Sequence, residues 1–149
     1  MYDDLVTGTT TKELIEAGYL SPFKVYAPSP LDLSGVSTVA GEYHQGELSK
    51  AVNKPQIVGD VVGTWLKLGE RRSTVCFAVD VAHAQSLWRQ FQCAGVRAAY
   101  IDAKTPPEDR RFIKDGFHDG TYEVVINIGV LTAGADWDIR CLILAAPTK

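Results

Sequence analysis

Short apolar runs of strand length, alternating with amphipathic helical stripes, constrain this chain more than any other feature. The runs are Thr74–Val79, Ala98–Ile101, residues 123–128 and Cys141–Ala145. The third is rich in β-branched residues, the composition of a strand buried on both faces of a parallel sheet. Asp80 begins a stripe carrying Val81, Ala84, Leu87, Trp88, Phe91 and Ala94, which Gly95 closes. Thr105-Pro106-Pro107-Glu108 has capping-box spacing with proline in the first turn, and Phe112, Ile113 and Phe117 are expected on the buried face that follows. Ahead of the first run, Ile57, Val58, Val61, Val62, Trp65 and Leu66 form a stripe opened by Asn53 and Pro55 and ended by Gly69. Leu48 and Val52 form a shorter one. This order predicts right-handed βαβ units and a parallel sheet.

The segment before these units reads as a lead-in. Thr10 and Glu13 have capping-box spacing, Leu14 and Ile15 give a short apolar face, and Gly18 is placed to end the helix. Phe23–Ala27 is a candidate first strand stopped by Pro28 and Pro30, and a polar connector runs from Ser29 to Gly46. The expected organisation is a lead-in arm and connector over residues 1–46 and an α/β core over 47–149. A chain of 149 residues, 46% hydrophobic and 22% charged, can bury such a core.

A net charge of -3 gives no global basic signature, so any nucleic-acid contact is a local matter of backbone N–H groups, hydroxyls and a few cations. Cys76, Cys93 and Cys141 are odd in number and set in apolar surroundings, which predicts buried reduced thiols. His44, His83 and His118 stand apart from one another and from the cysteines, so no metal-ligand spacing exists, and they are expected at the surface or at helix caps. No apolar run approaches a membrane span, and the first residues lack a signal-peptide pattern, so the expected location is the cytoplasm.

In a parallel sheet all the polar exits fall on one edge: Asp80, then Asp102 to Thr105, then Thr132 to Asp136. Ligands bind at that edge in open α/β sheets. Each residue also has a plain structural explanation, because Asp80 and Thr105 are good N-caps and Asp102 suits a turn. The chain has no G-x-x-x-x-G-K-[ST] phosphate loop, no nucleophile elbow and no Cys-His pair, which argues against a self-sufficient enzyme.

Val75 to Phe91, Ala99 to Phe117 and Val124 to Trp137, in this order and spacing, resemble the second RecA-like domain of superfamily 2 DEAD/DEAH-box helicases, in particular relatives of the ATPase (Res) subunit of type III restriction enzymes. Leu14-Ile15-Glu16-Ala17-Gly18-Tyr19-Leu20 is similar to the interdomain lead-in of that group. The resemblance implies a three-layer α/β/α fold with a mainly parallel sheet, in a fragment of an ATP-dependent DNA helicase or translocase. Val75-Cys76-Phe77-Ala78 looks like motif IV, which places Ala78 beside nucleic acid. Tyr100 to Thr105 with Arg110 is similar to the segment that touches the nucleic-acid backbone. Leu131 to Trp137 looks like motif V, which assigns Gly134 and Asp136 to the nucleotide and Thr132 and Asn127 to nucleic acid.

The implied cofactors are ATP and Mg²⁺ in a parent protein, with neither held by this chain alone, and no catalytic residue or metal ligand is carried over. The implied partners are single-stranded or duplex DNA, with RNA as the alternative, the first RecA-like domain of the parent, and a methylase or nuclease subunit. Two departures stand out. Ile128 occupies the position where many relatives have Thr, and the sequence ends at Pro147-Thr148-Lys149, short of the paired arginines of motif VI. The competing readings are a stand-alone flavodoxin- or receiver-like binding module and a degenerate RecA-like scaffold. The long lead-in before the core units argues against an independent module.

Overall fold

The computed structural model describes residues 8–27, 31–131 and 136–147. They fall into two compact units, Met1–Pro30 and Leu31–Lys149.

In the first unit, helix α1 (Thr11–Glu16) opens with a full capping box. The Thr10 backbone N–H donates to the Glu13 carboxylate at 2.8 Å, and the Thr10 hydroxyl accepts from the Glu13 N–H at 3.3 Å. Gly18 adopts φ +79°, the left-handed conformation that ends a helix cheaply only without a Cβ. Phe23–Ala27 does not form the expected strand and is exposed throughout. A strand needs a ladder partner, and the described residues of this unit contain no second strand to supply one.

The second unit opens with a hairpin of β1 (Thr38–Val39) and β2 (Glu42–Tyr43), which falls inside the stretch expected to be an irregular connector. Its two turn residues, Ala40 and Gly41, both have positive φ, +52° and +91°, the geometry that matches a hairpin's twist. Helix α2 (Gln45–Val52) follows, capped by His44, and Glu47 binds the Ser37 N–H and hydroxyl, each at 2.7 Å. These two bonds hold the Glu47 carboxyl below the usual range.

The remaining elements are α3 (Pro55–Leu68), β3 (Thr74–Phe77), α4 (Val81–Cys93), β4 (Ala98–Ile101), α5 (Pro107–His118), β5 (Val124–Asn127) and β6 (Cys141–Leu144). Strands β3 to β6 form a wholly parallel sheet in the order β4-β5-β3-β6. Helices α3 and α4 cover one face, where Val58, Val62, Trp65, Leu87 and Phe91 pack on Cys76, Val124 and Ile126. Helix α5 covers part of the other, with Phe117 on Val75, Ile101 and Val125. The result is the expected α/β/α layering.

Buried polar groups are partnered where the layers meet. The Trp65 indole N–H donates to the Thr74 hydroxyl at 2.8 Å, and its ring meets Phe91 edge-on at 5.5 Å. At the amino edge of the sheet the buried Glu123 carboxylate binds Arg71 at 2.8 Å and the Arg97 backbone N–H at 3.2 Å, tying three loops together. Trp88 protects an edge strand, because its indole N–H donates to the Ala98 carbonyl of β4 at 2.8 Å.

Several side chains depart from their expected places. Phe112, Leu66 and Val81 are exposed, since each lies at the margin of its helix's apolar stripe where no neighbour covers it. Thr105 forms no capping box. Pro106 is the N-cap of α5, and the Thr105 hydroxyl is engaged by Asp102 instead. Lys54, not Asn53, precedes the first residue of α3, and Asn53 ends α2. Cys76 is buried as expected but Cys93 is exposed, on the outer face at the end of α4. His83 is buried, neither on the surface nor at a cap position. Among the described residues, no helix is long and apolar enough to cross a membrane, and no group of three His, Cys, Asp or Glu could hold a metal ion.

Candidate functional site at the carboxyl edge of the sheet

Because the sheet is parallel, the loops after β3, β4 and β5 leave on the same edge. After β3, Ala78 is buried in the core and its N–H donates to the Asn127 carbonyl at 3.0 Å, so neither its methyl nor its amide is free for a ligand. Asp80 caps α4 by accepting from the His83 N–H at 2.8 Å.

The loop after β4 is built around one carboxylate and one guanidinium. Asp102 accepts from the Lys104 N–H at 2.9 Å and from the Thr105 hydroxyl at 3.1 Å, and that hydroxyl accepts from the Asp102 N–H at 3.0 Å. Arg110 reaches back from α5 and collects the carbonyls of Thr105 at 2.8 Å, Asp102 at 3.2 Å and Ala103 at 3.1 Å. The fork geometry of arginine lets one side chain fix three carbonyls, which a lysine could not do. Thr105 and Arg110 are thus brought together as expected, but their polar groups shape the loop. Lys104 is the exposed cation of this loop, and it makes no ion pair among the described residues. Sequence reasoning passed over it because a lone lysine in a turn carries no pattern.

Asn127 ends β5 fully buried. Its side-chain oxygen accepts from the Val130 N–H at 3.0 Å and the Leu131 N–H at 2.7 Å, while its amide nitrogen has no partner. Gly129 at φ +64° allows the chain to double back for these bonds. Thr132 and Gly134 lie outside the described residues. On the far side, Trp137 packs on Phe117 with ring centroids 5.2 Å apart, and the Ser73 hydroxyl donates to the Asp138 carbonyl at 2.6 Å. Residues 132–135 are therefore flanked by two anchored positions. Between them and Trp137 stands Asp136, exposed and without an ion-pair partner among the described residues. Asp138 is taken by Arg140 at 3.0 Å.

Other reactive groups are inert by environment. Burial pushes the Cys76 thiol far above its ordinary range, with Cys141 adding a smaller push, so Cys76 is no nucleophile. Burial likewise lowers the His83 pKa, opposed by the Asp80 carboxylate.

No protein-family model matches the chain. A 51.5 kDa protein of Lactococcus phage (isolate 7-9) is 32% identical over 149 residues, 99% of this chain and 33% of that protein. The Saccharomyces cerevisiae protein named "Putative ATP-dependent helicase IRC3" is 34% identical over 122 residues, 79% of this chain and 18% of that one. Among solved structures, the Pyrococcus furiosus Hef helicase domain superposes with a TM-score of 0.52 at 14% identity, over 68% of this chain and 24% of that one. T4 UvsW superposes with a TM-score of 0.55 at 15% identity, over 68% of this chain and 21% of that one. The chain shares the α/β/α fold of these two structures over about two thirds of its length, 68% in each case. It spans 33% and 18% of the lengths of the phage and yeast relatives.

Proposed function

We propose that this RecA-like domain supplies one wall of an ATP cleft and half of a nucleic-acid track in an ATP-dependent DNA helicase or translocase. The type proposed is that of the Res subunits of type III restriction enzymes, acting in the cytoplasm. The observation that carries the reading is 34% identity over 79% of the chain to a protein named as an ATP-dependent helicase. The three loops on one sheet edge support it.

The donors and acceptors fit one part of a nucleotide. Asp136, exposed beside an anchored tryptophan, has a carboxylate suited to accept from ribose hydroxyls, with Gly134 allowing close approach of the backbone. Residues 128–138 contain no Lys or Arg, so this loop offers the triphosphate no cation. The phosphates and Mg²⁺ then fall to the first RecA-like domain, the partner this reading requires. ATP, when bound, supplies the free energy that closes the cleft.

On the nucleic-acid side, Asn127 and Arg110 hold loops in shape. Lys104, the loop backbone after Ala78, and Thr132 are the groups offered to phosphates. DNA is the preferred strand, RNA the alternative, and a methylase or nuclease the companion subunit.

The test is ATP hydrolysis with and without single-stranded DNA, by this chain and by a version extended along its gene. The chain alone is expected to be silent and the extended form DNA-stimulated. In that form Asp136→Ala should raise the ATP concentration for half-maximal rate while leaving the unfolding midpoint in place. Equal silence of both forms, or a gene that encodes nothing more, returns the chain to the binding-module reading. An unchanged ATP dependence in the variant overturns the role of Asp136 alone.

A further inference from the structure

An open groove of about 620 Å³ beside β4 is lined by Tyr100, Phe112, Ile113 and Tyr122 together with Lys104 and Thr105. We propose that this groove receives an unpaired nucleobase, with Phe112 as its stacking platform. The proposal deepens the nucleic-acid reading above and rests on it.

Phe112 is 67% exposed. Its neighbours on α5 explain why this is notable: Phe117 is buried and Ile113 half-buried against the sheet, so α5 is already anchored without Phe112. The fold therefore leaves an aromatic ring in water beside two tyrosines. Three aromatic side chains along one groove give flat apolar faces of the kind on which bases stack whatever their sequence.

The groove is continuous with the track. Asp102, Lys104 and Thr105 form the loop after β4 and also line the groove. A strand whose phosphates pass Lys104 would have its next base at the aromatic wall. The carboxylate of Asp102 does not oppose this passage in full, because the Lys104 N–H and the Thr105 hydroxyl occupy it. Asp109 also lines the groove and is exposed, which suits a site for the base and not for the phosphate.

A peptide strand added to the edge is the competing occupant, and the edge is poorly built for it. Strand β4 has 4 residues, and the carbonyl of its first, Ala98, is already held by the Trp88 indole. What remains is too short a ladder for strand addition.

The experiment uses the 149-residue chain and fluorescence anisotropy with two labelled probes, a short oligothymidylate and an abasic oligomer of the same length. Phe112→Ala should weaken oligothymidylate binding by about 5- to 150-fold, the loss expected for one stacked base. It should leave abasic binding unchanged, and Phe112→Trp should retain affinity for oligothymidylate. Equal thermal midpoints of all variants establish that folding is intact, as exposure of the ring predicts. If Phe112→Ala binds both probes like the unmodified chain, the stacking site is overturned and a peptide or other ligand owns the groove. An equal loss on both probes overturns stacking as the cause. Failure of the unmodified chain to bind either probe overturns the nucleic-acid reading itself, a distinct outcome.

Discussion

Asn127 shows how a single buried side chain can set the shape of a loop. Its buried oxygen satisfies two backbone N–H groups of the loop after β5, and leaving buried donors unpaired costs about 1–3 kcal/mol each. Replacing it by leucine removes that acceptor and also the orphaned amide nitrogen, so the two effects partly offset. Asn127→Leu is expected to destabilise the chain by about 2–4 kcal/mol in urea unfolding. Unchanged stability with lost DNA binding would instead make Asn127 a direct ligand contact. His83 offers a second test at this scale. Burial holds its pKa below the ordinary 6.5, and its Nδ1 accepts from the Val79 N–H at 3.4 Å, which requires the neutral ring. Below pH 6.5 the unfolded chain takes up a proton that the folded chain refuses. Stability is therefore complete above that value and falls as the pH drops through the window down to the lowered folded pKa. Unfolding midpoints measured from pH 7.5 to 5 should decline, and His83→Gln should flatten the decline; an equal slope in the variant would assign the pH dependence elsewhere.

At the scale of elements, what could be read in the sequence was what burial enforces along a whole segment. Helices α3 and α4 each bury several residues against the sheet, Val58, Val62 and Trp65 on one and Ala84, Leu87 and Phe91 on the other, so their spacing announced them. Strand β5 is buried at all its positions and its β-branched run gave it away. Failures came where the deciding fact lay outside the segment. Phe23–Ala27 has strand composition but no partner among the described residues of its unit, and composition cannot reveal a missing neighbour. The β1–β2 turn went unseen because Ala40 takes a left-handed position usually held by Asn, Asp or Gly. Phe112 obeys the periodicity of α5 yet meets water, because stripe width depends on how much of the sheet the helix spans. The loop positions of Thr105 and Arg110 were likewise evident from order along the chain. That their polar groups would be spent on each other and on Asp102 depended on three-dimensional closure, which no spacing encodes.

For the molecule as a whole, the proposed role asks a domain of net charge -3 to follow a polyanion. The exits after β3, β4 and β5, residues 78–80, 102–106 and 128–138, contain one cation, Lys104, against Asp80, Asp102, Asp136 and Asp138. Of these acids, Asp80 caps a helix, Asp102 is held by its own loop and Asp138 is paired with Arg140. Only Asp138 is neutralised by a cation, so these loops keep a net negative charge, and affinity along the proposed track must come from N–H groups, hydroxyls and stacking. A single lysine that neutralises one phosphate releases about 0.7 counterion equivalents from a single strand. The logarithm of the binding constant should therefore fall with the logarithm of salt concentration at a slope of about -0.7, and Lys104→Ala should bring that slope near zero. Basic nucleic-acid proteins with many phosphate contacts show far steeper slopes. Titrations of oligothymidylate over a range of potassium chloride concentrations measure this directly. A slope of about -3 or steeper would mean that cations outside the carboxyl edge hold the strand, and the track would then have to be moved to another face of the domain.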